Sequence, residues 1–204
     1  MLQLKVCGMK DANNLAELIK VQPDFIGLIF HEKSPRNITN PNGLKIPNEI
    51  NTVGVFVNET EGFVLDKIDE FNLLYIQLHG KESPQFCKKV KLLKRKIIKA
   101  FNVHPDFDFA QLTKYEPHCD YFLFDSFGKN PGGNGITFDW TLLNNYKGTT
   151  PFLLSGGIHP EMAETLKTFS HPMFAGIDIN SKFELEAGLK DIEKIKNFKH
   201  ELQD

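Results

Sequence analysis

Eight short apolar segments alternate with longer stretches, and this alternation limits the possible fold more than any other feature of the sequence. The segments are rich in β-branched and aromatic residues and nearly continuous in apolar character, as is typical of parallel strands covered on both faces. The predicted strands are Leu2–Cys7, Asp24–Phe30, Thr52–Val57, Leu74–Leu78, Ile97–Phe101, Tyr121–Asp125, Pro151–Ser155 and Met173–Ile179.

The stretches between these strands carry apolar residues at helical spacing. The predicted helices are Asp11–Val21, Gly62–Phe71, Pro84–Leu93, Pro160–Phe169 and Glu184–Phe198. Ser83 before Pro84 is a good start signal, because its hydroxyl can cap the helix and proline suits the first helical position. Asp139–Trp140 begins a further predicted helix. The segments after Phe30 and Phe101 contain Asn and Pro and predict long loops or poor helices.

The fold class predicted from this pattern is α/β, as a single (β/α)8 TIM barrel of parallel strands that spans residues 1–204. The competing fold is an open doubly wound sheet. That fold often carries a GxGxxG motif after its first strand, whereas here the first strand ends in Cys7-Gly-Met9. No linker rich in Pro, Gly or Ser divides the chain, so the barrel is favoured.

The composition excludes several classes of function. The net charge of -2 offers no electrostatic attraction to nucleic acid or to a membrane surface. No apolar run approaches the ~20 residues of a membrane helix, and no secretory signal opens the chain. The three cysteines have no metal-ligand spacing, so we expect no metal and no disulfide. We therefore expect a cytoplasmic protein, either a monomer or a homodimer.

Glycines follow the seventh predicted strand, and polar residues follow the eighth. Parallel strands of a barrel all end on one face, and the loops after strands seven and eight commonly bind phosphate there. Gly156 and Gly157 would let the backbone approach a ligand closely, and Asn180 and Ser181 offer further donors. The glycine pair alone would indicate no more than a tight turn. Together the two loops favour a small phosphorylated ligand.

Cys7 is the last residue of the first strand, at the same predicted face. A cysteine in an apolar strand is more often a small buried hydrophobe than a reactive group. At a strand end beside Gly8 it could act as a base, but only as thiolate, which a nearby cation would have to stabilise. Cys87 and Cys119 are interpreted as structural.

Three further residues follow strand ends and could bind or protonate a substrate. Asp125 emerges from an apolar strand, which would favour a neutral carboxyl able to act as general acid. Its alternative role is to cap the following loop through backbone N–H groups. Arg36 could hold a carboxylate with its fork of donors, or be a solvated loop charge. His79 is more readily explained as a hydrogen-bonding histidine than as a catalyst.

With these residues the sequence resembles phosphoribosylanthranilate isomerases, nearly from end to end. Any one of the matching motifs is weak, but their order along the chain is specific. The motifs are Lys5–Met9, Gly27–Phe30, Ser34–Arg36, Val53–Asn58, Gln77–Gly80, Phe124–Ser126, Gly132–Gly135, Phe138–Trp140, Ser155–Ile158 and Gly176–Ser181.

The resemblance implies an Amadori rearrangement of N-(5-phosphoribosyl)anthranilate without metal or cofactor. In it Asp125 would be the general acid, Cys7 the general base, and Arg36 the partner of the anthranilate carboxylate. His79, Gly156, Gly157, Asp178, Asn180 and Ser181 would complete the substrate site.

Two residues depart from the family pattern. Lys182 stands where the family has glycine and would add a charge near the phosphate, whereas Ile136 stands where members often have lysine. Two alternatives stay open at this point. One is another sugar-phosphate isomerase or epimerase, although a second phosphate loop and metal-binding histidines are missing from the sequence. The other is a catalytically silent barrel that binds a metabolite.

Overall fold

Eight parallel strands form a closed barrel in the computed structural model, which describes residues 2–39, 43–126 and 139–203. Each strand pairs with its neighbours in chain order, so the predicted TIM barrel is confirmed and the open sheet is wrong. The strands are β1 (Gln3–Cys7), β2 (Phe25–Ile29), β3 (Asn51–Phe56), β4 (Tyr75–Leu78), β5 (Lys96–Val103), β6 (Tyr121–Ser126), β7 (Phe152–Leu154) and β8 (Phe174–Ile179).

The barrel closes where β1 pairs with β8 on one side and with β2 on the other. In the first seam Gln3 lies opposite Gly176 and Lys5 lies opposite Asp178, and in the second seam Cys7 lies opposite Gly27. Successive side chains on a strand point to opposite faces. This register therefore directs Lys5 and Cys7 into the barrel together.

The buried apolar residues divide into two clusters because each strand has an inner and an outer face. The outer cluster joins Leu4 and Val6 of β1 to Leu15 and Leu18, which come from the first helix. The inner cluster fills the barrel with residues that alternate along the strands. Its buried members are Cys7, Phe25, Val53, Val55, Tyr75, Ile98, Ala100, Leu123 and Leu153.

Three regular helices follow the early strands, each started by a capping side chain. These helices are α1 (Ala12–Lys20), α2 (Glu61–Phe71) and α3 (Pro84–Lys91). The side chains of Asp11, Thr60 and Ser83 accept the backbone N–H three residues on, which satisfies a donor that the first turn leaves free. Among the described residues, no helix combines the length and apolarity needed to cross a bilayer.

After β5, β6 and β7, short 3-10 segments stand where longer helices were predicted or expected. The loop after β5 contains the turns Phe109–Lys114 and Glu116–His118, and the helix predicted at Asp139–Trp140 is a 3-10 segment over Trp140–Asn145. The predicted helix Pro160–Phe169 begins as a 3-10 turn and continues as α4 (Ala163–Thr168). Short spans and early prolines leave little room for regular turns there.

The predicted helix Glu184–Phe198 is wrong in its first half. Residues Glu184–Glu186 (β9) and Leu189–Lys190 (β10) form an antiparallel hairpin, and the helix α5 covers Ile192–Gln203. Gly188 adopts a φ of 90° in the turn, a conformation that favours glycine. The buried Lys190 ammonium contacts the Glu184 carboxylate across the hairpin, so tertiary contacts outweigh helix propensity.

Closure at the β1–β8 seam depends on the missing side chain at Gly176. A Cβ there would lie 2.3 Å from the carbonyl oxygen of Gln3, which is backbone and cannot move aside. We expect Gly176→Ala to lower the free energy of unfolding by roughly 1–3 kcal/mol, measured by urea denaturation. Gly62→Ala in α2, where a Cβ meets nothing within 4 Å, is the control and should raise stability by about 0.5–1 kcal/mol. Equal stability of the Gly176 variant and the wild type would contradict this account of the seam.

Candidate active site

A pocket opens at the carboxyl ends of the strands, and eight of the nine residues predicted for the site line it. These eight are Cys7, His79, Asp125, Gly156, Gly157, Asp178, Asn180 and Ser181. Apolar side chains, Ile29, Val55 and Val57 among them, cover another part of its wall. The ninth residue, Arg36, does not line the pocket. The pocket therefore offers a thiol, an imidazole and carboxyl groups beside an apolar surface.

Cys7 ends β1 and is 4% exposed at the floor of this pocket. The opposite residue, Gly27, leaves room for the sulfur, since a Cβ there would lie 2.7 Å from Sγ. Burial raises the pKa of the Cys7 thiol, and the nearby Lys5 and Lys190 ammonium groups oppose this rise without cancelling it. The thiol is thus the resting form, and a cation lies close enough to favour the thiolate.

Lys5 and Asp178 form an ion pair inside the barrel, directly below the pocket. Lys5 is fully buried, and its Nζ lies 2.8 Å from Oδ1 of Asp178. Burial lowers the pKa of Lys5, but Asp178 and Cys7 outweigh burial and raise it above the ordinary lysine value. The Asp178 carboxylate thus favours the protonated form of Lys5, and Asp178, predicted to bind substrate, also holds this ammonium group.

Asp125 ends the apolar run of β6 and is 5% exposed, with its two oxygens in different surroundings. Oδ1 accepts the backbone N–H of Ser126 at 2.8 Å, which is the capping contact considered above, and Oδ2 lies 3.2 Å from Nε2 of His79. A Cβ on Gly156 would lie 2.5 Å from Oδ1. Because Gly156 has a φ of 81°, its backbone and its lack of a side chain both let the loop close over Asp125.

His79 connects Asp125 to the barrel wall. The amide Nε2 of Gln77 lies 2.8 Å from Nδ1 of His79, and donation from that amide leaves the ring proton on Nε2, facing Asp125. His79 is thus a hydrogen-bonding histidine, as the sequence indicated. Its partner is the proposed acid.

Backbone and one charged side chain form the part of the pocket that the loops after β7 and β8 contribute. Gly156 and Gly157 both have positive φ, and a 3-10 turn over Ser181–Phe183 follows β8. Lys182 is exposed on this turn and is the one lysine or arginine among the described lining residues. The glycine-rich loop Gly132–Gly135, and with it Ile136, lies outside the described residues.

Arg36 is held by a carboxylate of the protein itself. Its Nε and Nη2 donate to both oxygens of Glu184, at 2.5 to 3.1 Å. Lys190 Nζ contacts the same carboxylate at 2.6 Å and also donates to the Asn180 side chain at 2.7 Å. Burial raises the pKa of Glu184, but Arg36 and Lys190 outweigh burial and bring it below the ordinary value. The side-chain oxygen of Asn180 accepts from Lys190, and donation from the N–H groups of Asn180 to a phosphate stays a prediction.

The sequence interpretation missed Lys5, Gly27, Gln77, Glu184 and Lys190. Alternation along β1 could have found Lys5, since it shares a face with Cys7, and a glycine inside β2 signals a close approach. Glu184 and Lys190 were placed in a helix and so gave no signal. In the part of the chain that the structure describes, no three His, Cys, Asp or Glu side chains are grouped to hold a metal ion.

Comparison with known proteins shows the family to which this chain belongs. The family described as N-(5'phosphoribosyl)anthranilate (PRA) isomerase matches residues 4–201. The N-(5'-phosphoribosyl)anthranilate isomerase of Parabacteroides distasonis is 45% identical, with 96% of this chain and 90% of that protein covered. This chain belongs to the PRA isomerase family. It is accordingly an isomerase of tryptophan biosynthesis, which sets aside the silent barrel and the other sugar-phosphate enzymes.

Two solved structures of the family match the whole fold. One contains monomers generated from the dimeric enzyme of Thermotoga maritima, at 28% identity and a TM-score of 0.84 over 100% of this chain and 99% of that one. The other is a family member in complex with reduced 1-(o-carboxyphenylamino)-1-deoxyribulose 5-phosphate, with the same identity, TM-score and coverage.

Glu184 neutralises the buried Lys190 and the partly buried Arg36, so its loss should show a characteristic pH dependence. We expect Glu184→Gln to cost about 3 kcal/mol at neutral pH, because Arg36 and Lys190 lose their carboxylate. Since the pKa of Glu184 is lowered in the folded state, its contribution is present above the unfolded pKa of about 4.3 and is lost as pH falls through the lower folded pKa. The stability gap between wild type and variant should therefore shrink below about pH 4, as urea denaturation would measure.

The exposed Glu186 on the same hairpin provides the matched control. Glu186→Gln should change stability by less than about 0.5 kcal/mol at every pH. A gap for Glu184→Gln that stays constant from neutral to acid pH would show that its charge is not the stabilising feature.

Proposed function

We propose that this pocket carries out the Amadori rearrangement of N-(5'-phosphoribosyl)anthranilate with Asp125 as general acid and Cys7 as general base. The observation that supports the proposal most is that β1 and β6 deliver a thiol and a carboxyl to one pocket, beside the loops after β7 and β8. A relative binds a reduced carboxyphenylamino-deoxyribulose phosphate, which has the carboxylate, amine and phosphate of such a product.

The first step would be protonation of the furanose ring oxygen by Asp125. The bond from that oxygen to C1 breaks, and the nitrogen lone pair forms the C1=N bond of a Schiff base. After transfer Asp125 is a carboxylate, which the Ser126 N–H and the His79 ring are placed to stabilise. His79 therefore acts through Asp125 by orienting it and accommodating its charge.

The second step would be removal of the C2 proton by the Cys7 thiolate. The electrons of that C–H bond form a C1=C2 bond and those of the C=N bond return to nitrogen, which gives an enolamine. Tautomerisation of the enolamine then yields the 2-ketone. This chemistry needs one acid and one base, and the substrate itself supplies the nitrogen that accepts electrons.

The phosphate would bind at Gly156, Gly157 and Ser181, with backbone N–H groups as donors. Remote binding of this kind contributes energy that positions the reacting sugar. The substrate carboxylate would bind at Arg36, either at its remaining Nη1 or by exchange with Glu184. We propose one catalytic domain over the whole chain. Since one family member is dimeric, a homodimer is one of the two assemblies expected.

Replacing the acid or the base should abolish turnover without unfolding the chain. We expect Cys7→Ser and Asp125→Asn each to lose at least about a hundredfold in kcat, because a hydroxyl is a far weaker base and an amide donates no ring-opening proton. The decrease in anthranilate-type fluorescence measures the rate. Cys119→Ala, a change outside the pocket, is the control and should retain kcat. Near-normal kcat in either active-site variant would remove that residue from its role.

Lys182 should strengthen phosphate binding without taking part in the chemistry. We expect Lys182→Gln to raise KM about threefold to tenfold and to leave kcat nearly unchanged, because a solvated charge pair contributes on the order of 1 kcal/mol. The effect should weaken with added salt. Lys88→Gln, at an exposed position of α3, is the control. An unchanged KM would place the phosphate away from Lys182.

A further inference from the structure

The proposed base, Cys7, is buried, and burial makes its negatively charged thiolate form less favourable. A cysteine removes a proton only as thiolate, yet burial disfavours the charged form. Cys7 is 4% exposed, and burial is the largest influence on its pKa, which is raised. Some neighbouring group must make the thiolate accessible during turnover.

We propose that Lys5 is a positioning residue that, held in place by Asp178, keeps a positive charge against the Cys7 sulfur and so makes the thiolate available as base. This inference rests on the proposed role of Cys7. Lys5 does not contact the reacting sugar in this proposal. It acts through the sulfur.

The geometry that supports this assignment follows from the β1–β8 register. Lys5 and Cys7 are two residues apart on β1 and so share the inner face, and Asp178 lies opposite Lys5 on β8. The ammonium lies 2.8 Å from the Asp178 carboxylate. Its positive charge opposes the rise that burial causes in the pKa of the Cys7 thiol.

Stability alone does not explain this ion pair. Lys5 is 0% exposed and Asp178 is 5% exposed, and the surrounding inner cluster is apolar, with Phe25 and Val53 among its members. Taking two charges out of water costs several kcal/mol per ion, and apolar pairs of similar volume are often equally or more stable. What connects this pair to the chemistry is its position, since Lys5 shares the inner face of β1 with Cys7 and Asp178 lines the pocket.

The other charges around Cys7 do not provide the same cation. Lys190 on β10 and Arg36 after β2 both share the Glu184 carboxylate, and burial lowers the pKa of Lys190. Asp178 opposes the thiolate, and Asp125 and His79 face Asp178 from β6 and from the end of β4. On the Cys7 side of the pocket, Lys5, Lys190 and Arg36 therefore face two carboxylates, and a thiolate would balance the remaining positive charge.

The test is the pH dependence of Cys7 alkylation in the intact chain, read at each cysteine by peptide mass spectrometry. Iodoacetamide reacts with thiolate, so its rate from about pH 6 to about pH 11 reports the ionisation of Cys7 directly. In Lys5→Met and Lys5→Gln we expect the rate at neutral pH to fall at least about tenfold and the midpoint to move up by about one pH unit. Lys5→Arg keeps the charge and should restore most of the rate.

Lys99→Met is the matched control, because Lys99 is also a buried barrel lysine with a carboxylate partner, Glu82. It donates to the carbonyl oxygens of Leu78, Gly80 and Ala100 and lies away from Cys7. The control should lose stability and keep the wild-type Cys7 profile. An unchanged Cys7 profile in a folded Lys5→Met or Lys5→Gln protein would overturn the inference.

Two further measurements keep the test decisive. If neither neutral variant folds, the side-chain ¹⁵N signal of Lys5 in the wild type should shift at the pH at which Cys7 becomes reactive, and should not do so in Cys7→Ser. Absence of that shift in the wild type also overturns the inference. Turnover of Cys7→Ser tests the role of Cys7 as base separately from the effect of Lys5 on the Cys7 thiol. Normal turnover of this variant would show that Cys7 is not the base, even if Lys5 controls the ionisation of Cys7.

Discussion

The structure depends on the closure of the barrel, in which β1 is hydrogen-bonded to β2 on one side and to β8 on the other. This single register places Gly27 beside the Cys7 sulfur and Asp178 beside Lys5. A shift of β1 by one residue would turn both Lys5 and Cys7 toward the helices. The inner face of β1 thus presents Lys5 and Cys7 to the barrel interior, and its outer face packs Leu4 and Val6 against the helices.

The surroundings of Asp125 and of Cys7 differ in the charges that they contain. Around Asp125 the contacts are hydrogen-bond donors, from the Ser126 backbone and from His79, and these suit a carboxyl that gives up a proton and becomes negative. The positive charges near Cys7 are lysines paired with carboxylates. The hairpin β9–β10 belongs to the surroundings of Cys7, because Glu184 and Lys190 connect it to Arg36 and to Asn180.

The sequence indicated the fold well because its signals were local. All eight predicted strands are observed in the predicted order, and their ends lie within about two residues of the prediction. The start signal at Ser83–Pro84 also corresponds to an observed helix, α3. The prediction was wrong for the hairpin after β8, because that structure depends on tertiary contacts and not on local signals. Its residues show helical spacing, but the hairpin forms because Gly188 adopts a positive φ and because Lys190 is buried against Glu184. Apolar spacing along the chain does not reveal that burial.

Sequence alone determined which side chains stand at strand ends, and therefore that Cys7, His79, Asp125 and the loops after β7 and β8 face one pocket. It did not determine what those side chains touch. That Lys5 pairs with Asp178, that His79 meets Asp125 and that Glu184 binds Arg36 were decided only by tertiary structure. The physical reason is that local apolar patterns indicate where each strand begins and ends. Charge pairing depends instead on the register between strands that are far apart in the chain.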